Sequence, residues 1–302
     1  MTSAPPAPTA SLRPRALRHA EGVKLRKRTP RTRQAEWQAP KNRQDPVSIL
    51  VEQGMHRISA LLPVRYARMA ASPFAFLRGA AAVMAADLAG TPTAGPKVQS
   101  CGDCHLANFG SYASPEGVPV FDINDFDETL SAPFEWDVKR LGTSLVLAGR
   151  EGGLSDGAAS TLARSMAQAY AQEMAYLAPL NPLAIWAERI ALAAAIASFQ
   201  DKQARKKVQS LLDARLESAR SHFGLVADNG GAPRLTEKPP LVMRLLEQED
   251  TIRAAFARYL ATQPPERAIL LSRYTLQDVI FKVVGVGSVG TFCAIGLFAT
   301  PD

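Results

Sequence analysis

At 302 residues with 47% hydrophobic side chains, the chain can bury a core large enough for one large domain or two. No stretch approaches the roughly 18 to 20 uninterrupted apolar residues of a membrane span. Three cysteines without an apolar leader argue against a disulfide-built secreted scaffold and for the cytoplasm.

The net charge of +7 is a property of one end: residues 1–45 hold 11 Lys/Arg against 3 Asp/Glu, leaving 24 against 25 in the remainder. Residues 1–40 read as a basic, largely disordered tail, because Pro5, Pro6, Pro8, Pro14 and Pro30 interrupt a segment with little to bury. Its KLRKRTPRTR run could gain affinity for nucleic acid or an anionic surface by counterion release. It lacks aromatic stacking residues, however, and a solvated tail is the plainer reading. The Arg-rich, acid-poor composition is also that of an organellar transit peptide.

Residues 41–230 read as a helical domain, and 231–302 as further helices ending in a glycine-rich β-hairpin. A helix is expected over 46–62 and another from Pro73, capped by Ser72, to Gly90. A third is expected over 134–150. Leu162, Met166, Tyr170, Met174 and Leu177 recur at spacings of four, four, four and three, an amphipathic stripe that reads as core packing. The alanine-rich LAIWAERIALAAAIASF, interrupted by Glu188 and Arg189, reads as a buried helix over 183–199. Helices at 202–220 and 241–262, strands near 118–124 and 278–298, and a loop at Asn229–Pro233 complete the expectation. The fold class is α+β, mainly helical, with a small antiparallel sheet.

Residues 101–128, CGDCHLANFGSYASPEGVPVFDINDFDE, concentrate Asp103, His105, Asn108, Asp122, Asp125, Asp127 and Glu128. Ionised carboxylates repel one another and are costly to bury, so such a cluster points to a cation or to proton transfer. Ordinary turn chemistry is the bland alternative, since Gly, Asn and Asp dominate turns for backbone reasons. The order Gly-Asp-x-His-x-x-Asn, followed by a strand ending in Asp-Phe-Asp, resembles the catalytic and metal-binding segments of kinase-like phosphotransferases, aminoglycoside kinases in particular. The resemblance implies that Asp103 accepts the substrate hydroxyl proton, that His105 orients the turn, and that Asn108 and Asp125 hold Mg²⁺ at the phosphates of ATP. Asp122 is a second match for the metal aspartate.

Cys101-Gly-Asp-Cys104-His105 is also a literal c-type haem attachment sequence. Haem attachment requires export and would leave the downstream carboxylates without a role, so no haem is expected. Zinc is not expected either: Cys293 is remote, and His19, His56 and His222 lack ligand spacing.

Near the C-terminus, KVVGVGSVGTF places Gly285, Gly287, Ser288 and Gly290 between two apparent strands. A dinucleotide-binding motif would need a helix after the glycines, whereas this arrangement resembles the glycine hairpin over ATP phosphates in kinases. An ordinary hairpin is the alternative. Because the hairpin follows the acidic segment, a kinase-like fold here would have permuted element order. Arg65, Arg68 and Arg78 are possible phosphate ligands. Asp127, Glu128, Asp137, Lys139 and Arg140 read as residues supporting the site, an Asp-Arg pair there more often bracing a loop than touching substrate.

The runs RQDPVSILVEQGMHRISALLPVRYARMAASPFAFLRGAAAVMAADLAG, VQSCGDCHLANFG, VFDINDFDET, PFEWDVKRL and KVVGVGSVGTF together resemble the bacterial family "domain of unknown function 2252" from about residue 21 onward. The resemblance implies a strand with a Lys-Glu pair after the hairpin. This chain ends at Thr300-Pro301-Asp302, so a truncated or split member is expected. The functional expectation is an Mg-ATP-dependent phosphotransferase acting on a small molecule or protein. A non-catalytic nucleotide-binding regulator or a metal-dependent phosphoesterase is the alternative.

Overall fold

Capping chemistry sets several helix starts. Ser72 Oγ accepts the Ala75 N–H at 3.1 Å, with Pro73 in the first turn, and Ser155 and Asn181 cap in the same way. The computed structural model describes residues 13–300 except 115, 221–223 and 228–232. Most of the expected loop at Asn229–Pro233 therefore lies outside the described residues, as do residues 1–12 of the tail.

In chain order, α1 (Arg15–Arg28), α2 (Pro46–Gly54), α3 (Leu62–Met69), α4 (Pro73–Gly79) and α5 (Ala81–Leu88) precede β1 (Lys97–Ser100). Strands β2 (Phe109–Ala113), β3 (Pro119–Ile123) and β4 (Leu130–Pro133) lead into α6 (Glu135–Glu151) and α7 (Asp156–Leu177). Next come α8 (Pro182–Ala187), α9 (Leu192–Ala197), α10 (Lys202–Arg220) and the short strands β5 (Val226–Ala227), β6 (Arg234–Leu235) and β7 (Val242–Met243). Helices α11 (Glu249–Ala261) and α12 (Pro265–Leu271) and strands β8 (Thr275–Lys282) and β9 (Ala294–Ala299) follow. The architecture is α+β, mainly helical with small sheets. Among the described residues, no helix is long and apolar enough to cross a membrane.

The chain divides into two units, each assembled from separated segments. One contains the residues up to Ile49, Ala81–Phe109 and Ile123–Pro179. Its β1 and β4 pair antiparallel, from Lys97 opposite Pro133 to Ser100 opposite Leu130. Helices α6 and α7 pack along the expected stripe. A Cβ on Gly149 would sit 3.2 Å from Leu162 Cδ1 and one on Gly142 3.4 Å from Met166 Cε, while Tyr170 stacks on Phe134. Small residues on α6 thus admit the large ones on α7, although Leu162, Tyr170 and Met174 stay partly exposed. Helix α1 occupies part of the expected disordered tail and buries none of its residues. Its Ala, Leu, Arg and Lys favour helix intrinsically, and Arg26, Lys27 and Arg28 complement the dipole of its last turn.

The other unit contains Leu50–Ala80, Gly110–Asp122 and Leu180 onward. Strands β7, β8 and β9 form an antiparallel sheet in that order. Leu61 packs with Phe281, Val283 and Val289, the long-range contact that recruits the 50–80 segment to this sheet. The helix expected over 241–262 starts only at Glu249, because Val242 and Met243 pair with Lys282 and Phe281. The buried helix expected over 183–199 is instead two short helices, with Trp186 89% exposed. Glu188 is extended, Phe121 N–H bonds to Ile190 O and Val120 bridges Ala191, so strand pairing overrides helix propensity there. The helix expected from Ser72 to Gly90 is likewise interrupted at Ala80, whose φ of −119° and ψ of 35° lie outside the helical region.

Candidate functional site

The β1–β4 ladder determines which loops meet. Ser100 and Leu130 face each other at one end of it, and Ser100 Oγ donates to Leu130 O at 2.9 Å. The segments 101–108 and 123–129 therefore leave the ladder from the same end. Gly102 has φ +81°, and a Cβ on it would lie 1.9 Å from Glu128 O. Only glycine lets the second segment cross the Gly102–Asp103 turn so closely.

One face of α6 holds the first segment. Asp137 accepts the backbone N–H groups of Cys101 and Gly102 at 2.7 and 3.1 Å. Arg140, three residues on and buried, donates from Nε to Asp103 Oδ1 at 2.6 Å and from Nη2 to the same oxygen. Ser144, also buried, accepts the Leu106 N–H at 3.0 Å and donates to Leu141 O at 2.7 Å. These positions share one helix face. One helix thus fixes backbone, carboxylate and the following turn together. Glu135 at the start of α6 is buried and accepts the Ala94 N–H at 2.5 Å.

Within the segment, Asn108 Nδ2 donates to Asp103 O at 3.0 Å. His105 Nε2 lies 3.5 Å from Asp103 Oδ2. The second segment is fastened beside the first: Asn124 N–H donates to Asn108 O at 3.0 Å, and the Cys101 thiol to Asp125 O at 3.4 Å. Asp125 Oδ1 accepts the Asp127 N–H at 3.4 Å. Asp103, His105, Asn108 and Asp125 therefore belong to one local assembly, with Asp127 and Glu128 exposed beside it. Asp122, exposed at the end of β3, belongs to a segment grouped with the other unit.

Residues 57–302 match the family model described as "Uncharacterized protein conserved in bacteria (DUF2252)". The chain belongs to the DUF2252 family. No curated protein and no solved structure matches it.

The glycine turn and Arg65, Arg68 and Arg78 of this DUF2252 chain lie in the other unit, whereas Lys139 lies on α6. The glycine turn is tied down through its carbonyls. Arg57 Nη1 donates to Gly287 O and Val289 O at 2.7 and 2.8 Å, Arg68 Nη1 to Gly285 O at 2.6 Å, and Ile58 N–H to Gly290 O at 2.8 Å. Gly285 and Gly290 have positive φ, and a Cβ on Gly287 would lie 2.8 Å from Arg78 O. Ser288 O accepts both the Thr291 N–H and its hydroxyl. Arg65 is fully buried, donating to Gln53 Oε1 and Gly79 O, so its guanidinium braces α2, α3 and α4.

Sequence reasoning missed Ser144 and Arg57. Their partners are 38 and 230 residues away, and neither sits in a motif. Electrostatics around α6 also depend on burial. Burial lowers the Lys139 pKa against the pull of Glu135, and it raises that of Tyr170, aided by the charges of Glu135 and Asp137. The Cys104 thiol is held above its ordinary range by its hydrogen bond to Cys101 and by burial.

Proposed function

We propose that this protein is an Mg-ATP-dependent phosphotransferase of kinase-like type, with Asp103, Asn108 and Asp125 as its working residues. The observation that carries the reading is the fastening of the Asp125 segment beside the Asp103–Asn108 loop. It holds the backbone of the segment carrying Asp125 beside the loop that carries Asp103 and Asn108, which supports the reading. The carboxylate loops carry this reading by themselves.

The donor set fits Mg²⁺. Magnesium is commonly held by one or two protein oxygens and completed by phosphates and water, and Asn108 Oδ1 and the Asp125 carboxylate would supply those oxygens. When bound, the ion would neutralise charge on the phosphate oxygens of ATP. Asp103 would accept a hydrogen bond from the acceptor hydroxyl, aim it, and take its proton. Phosphoryl transfer rests mainly on positioning and charge neutralisation, so an oriented carboxylate suffices. Arg140 fixes that carboxylate, and Asp137 fixes the turn carrying it. The acceptor is a small molecule or protein hydroxyl.

A second reading, a nucleotide-binding regulator without turnover, is favoured by one observation: Asp103 Oδ1 is already engaged by two nitrogens of Arg140.

Thermal denaturation with ATP, with and without Mg²⁺, tests the site. At a ligand concentration a hundredfold above Kd, binding stabilises by about 2.7 kcal/mol. The expected result is a magnesium-dependent rise in Tm that Asp125→Ala abolishes. No shift in the parent chain overturns the site. ATP-dependent phosphate transfer lost in Asp103→Asn, with the shift retained, selects the phosphotransferase, whereas a shift without turnover selects the regulator.

A further inference from the structure

Cys101 and Cys104 bracket Gly102 and Asp103, and neither has a part in the phosphotransfer reading. Both are reduced and buried. Each thiol shifts the other's acidity, that of Cys101 down and that of Cys104 up, and Cys101 donates to Asp125 O at 3.4 Å. The Cys-x-x-Cys spacing lies in an irregular loop with Gly102 at φ +81°. A short loop of this kind brings residues i and i+3 within bridging reach. Among the described residues, the donor on the Asp125 carbonyl is thus one half of a dithiol pair.

We propose that Cys101 and Cys104 are a reversible redox modification site, and that forming their disulfide removes one of the two hydrogen bonds that fasten the Asp125 segment to the Asp103 loop, leaving that of Asn124 to Asn108. The oxidant is a small-molecule disulfide. One sulfur of the pair attacks it, forming a mixed disulfide and releasing one small thiol; the other sulfur then displaces the second small thiol. One S–S bond forms within the loop and one breaks in the oxidant. The two thiol hydrogens of the pair end on the two small thiols, so the pair loses two electrons and the oxidant gains two. Cys101 then has no S–H to offer Asp125 O. The consequence is a structural loosening of 123–129 that does not depend on what the site binds.

The test uses the full-length Cys293→Ser chain, which leaves only this pair, incubated folded with oxidised glutathione. Peptide mass should show loss of two hydrogens from the peptide containing both cysteines, reversed by dithiothreitol. Amide hydrogen exchange over 123–129 should quicken about two- to tenfold, the range for losing one modest hydrogen bond. Adding Cys101→Ala should give the faster exchange without oxidant. Adding Cys101→Ser, which keeps a hydroxyl donor and cannot bridge, should stay slow with or without oxidant. If the Cys101 variants do not fold, Cys104→Ser serves: its exchange should ignore the oxidant. Thiols that persist in the folded chain under conditions that pair them in urea would overturn the proposal. So would mixed disulfides without an internal bridge, unchanged exchange after bridging, or oxidant-quickened exchange in Cys104→Ser.

Discussion

Two aspartate–arginine pairs, one in each unit, are built in opposite senses. In the pair formed by Asp103 and Arg140, the aspartate side chain is 16% exposed and the arginine 2%. In the pair formed by Asp278 and Arg244, the aspartate is 5% exposed and the arginine 24%. Asp278 is held bidentately at 2.5 and 2.8 Å and also accepts the N–H groups of Leu235 and Val279. Its carboxylate is directed inward, joining β6 to β8, and its charge serves folding. Asp103 is held at one oxygen by a buried guanidinium and keeps a face toward solvent. The first arrangement locks a structure and the second presents a carboxylate.

That contrast breaks most completely at Gly102, on which the presentation of Asp103 depends. In Gly102→Ala the new methyl would overlap Glu128 O, and the residue would have to keep φ +81°. A left-handed non-glycine residue costs about 1–2 kcal/mol, and forced overpacking adds about 1–3 kcal/mol. A loss of about 2–5 kcal/mol in urea unfolding, or failure to accumulate folded protein, is expected. A variant of unchanged stability would show that Glu128 does not cross the turn in solution.

Removing each arginine sharpens the comparison. Arg244→Met strands an inward-facing carboxylate and should cost about 3 kcal/mol, as breaking buried pairs does. Arg140→Met removes the more buried charge yet leaves the more exposed of the two aspartates, and should cost less, about 1 kcal/mol, as for pairs that water reaches. The same variant should abolish phosphate transfer, since Asp103 loses the group that aims it. Unfolding free energies in the reverse order would mean that exposure does not identify which partner depends on the pair.

Neither pair is legible in the sequence as a pair, although both members of the first stand out singly. Asp103 stood out because turn residues and carboxylates concentrate within a few positions, a local signal. Arg140 was marked as part of a bracing pair, but its partner was not, because the contact spans 37 residues and depends on which face α6 turns toward the loop. Asp278 drew no notice inside an apolar strand, and Arg244 fell in an expected helix that strand pairing replaced. Helix α7 follows from an apolar period intrinsic to the segment, but its stripe does not form core, since Leu162, Tyr170 and Met174 are exposed. Strands β1 and β4, which align the two loops, have four residues each and no alternation distinctive enough to find. Local chemistry could be read directly, while the scaffold that organises it depends on distant pairing.

The smallest effect lies in the acid limb of stability. Burial alone would raise the Asp278 carboxyl pKa, but Arg244 and the N–H groups of Leu235 and Val279 together carry it below the ordinary value. A group depressed in the folded state contributes stability that is fully present above its unfolded pKa, about 3.9 for aspartate, and lost as pH falls through the folded value. Asp278→Asn should therefore be less stable than the parent chain near neutrality, with the difference narrowing as pH falls below about 4. Urea unfolding across that range reads it directly. A difference that stays constant down to the lowest pH at which both chains fold would mean that Asp278 contributes through its shape and hydrogen bonds, which an amide also offers, and not through its charge.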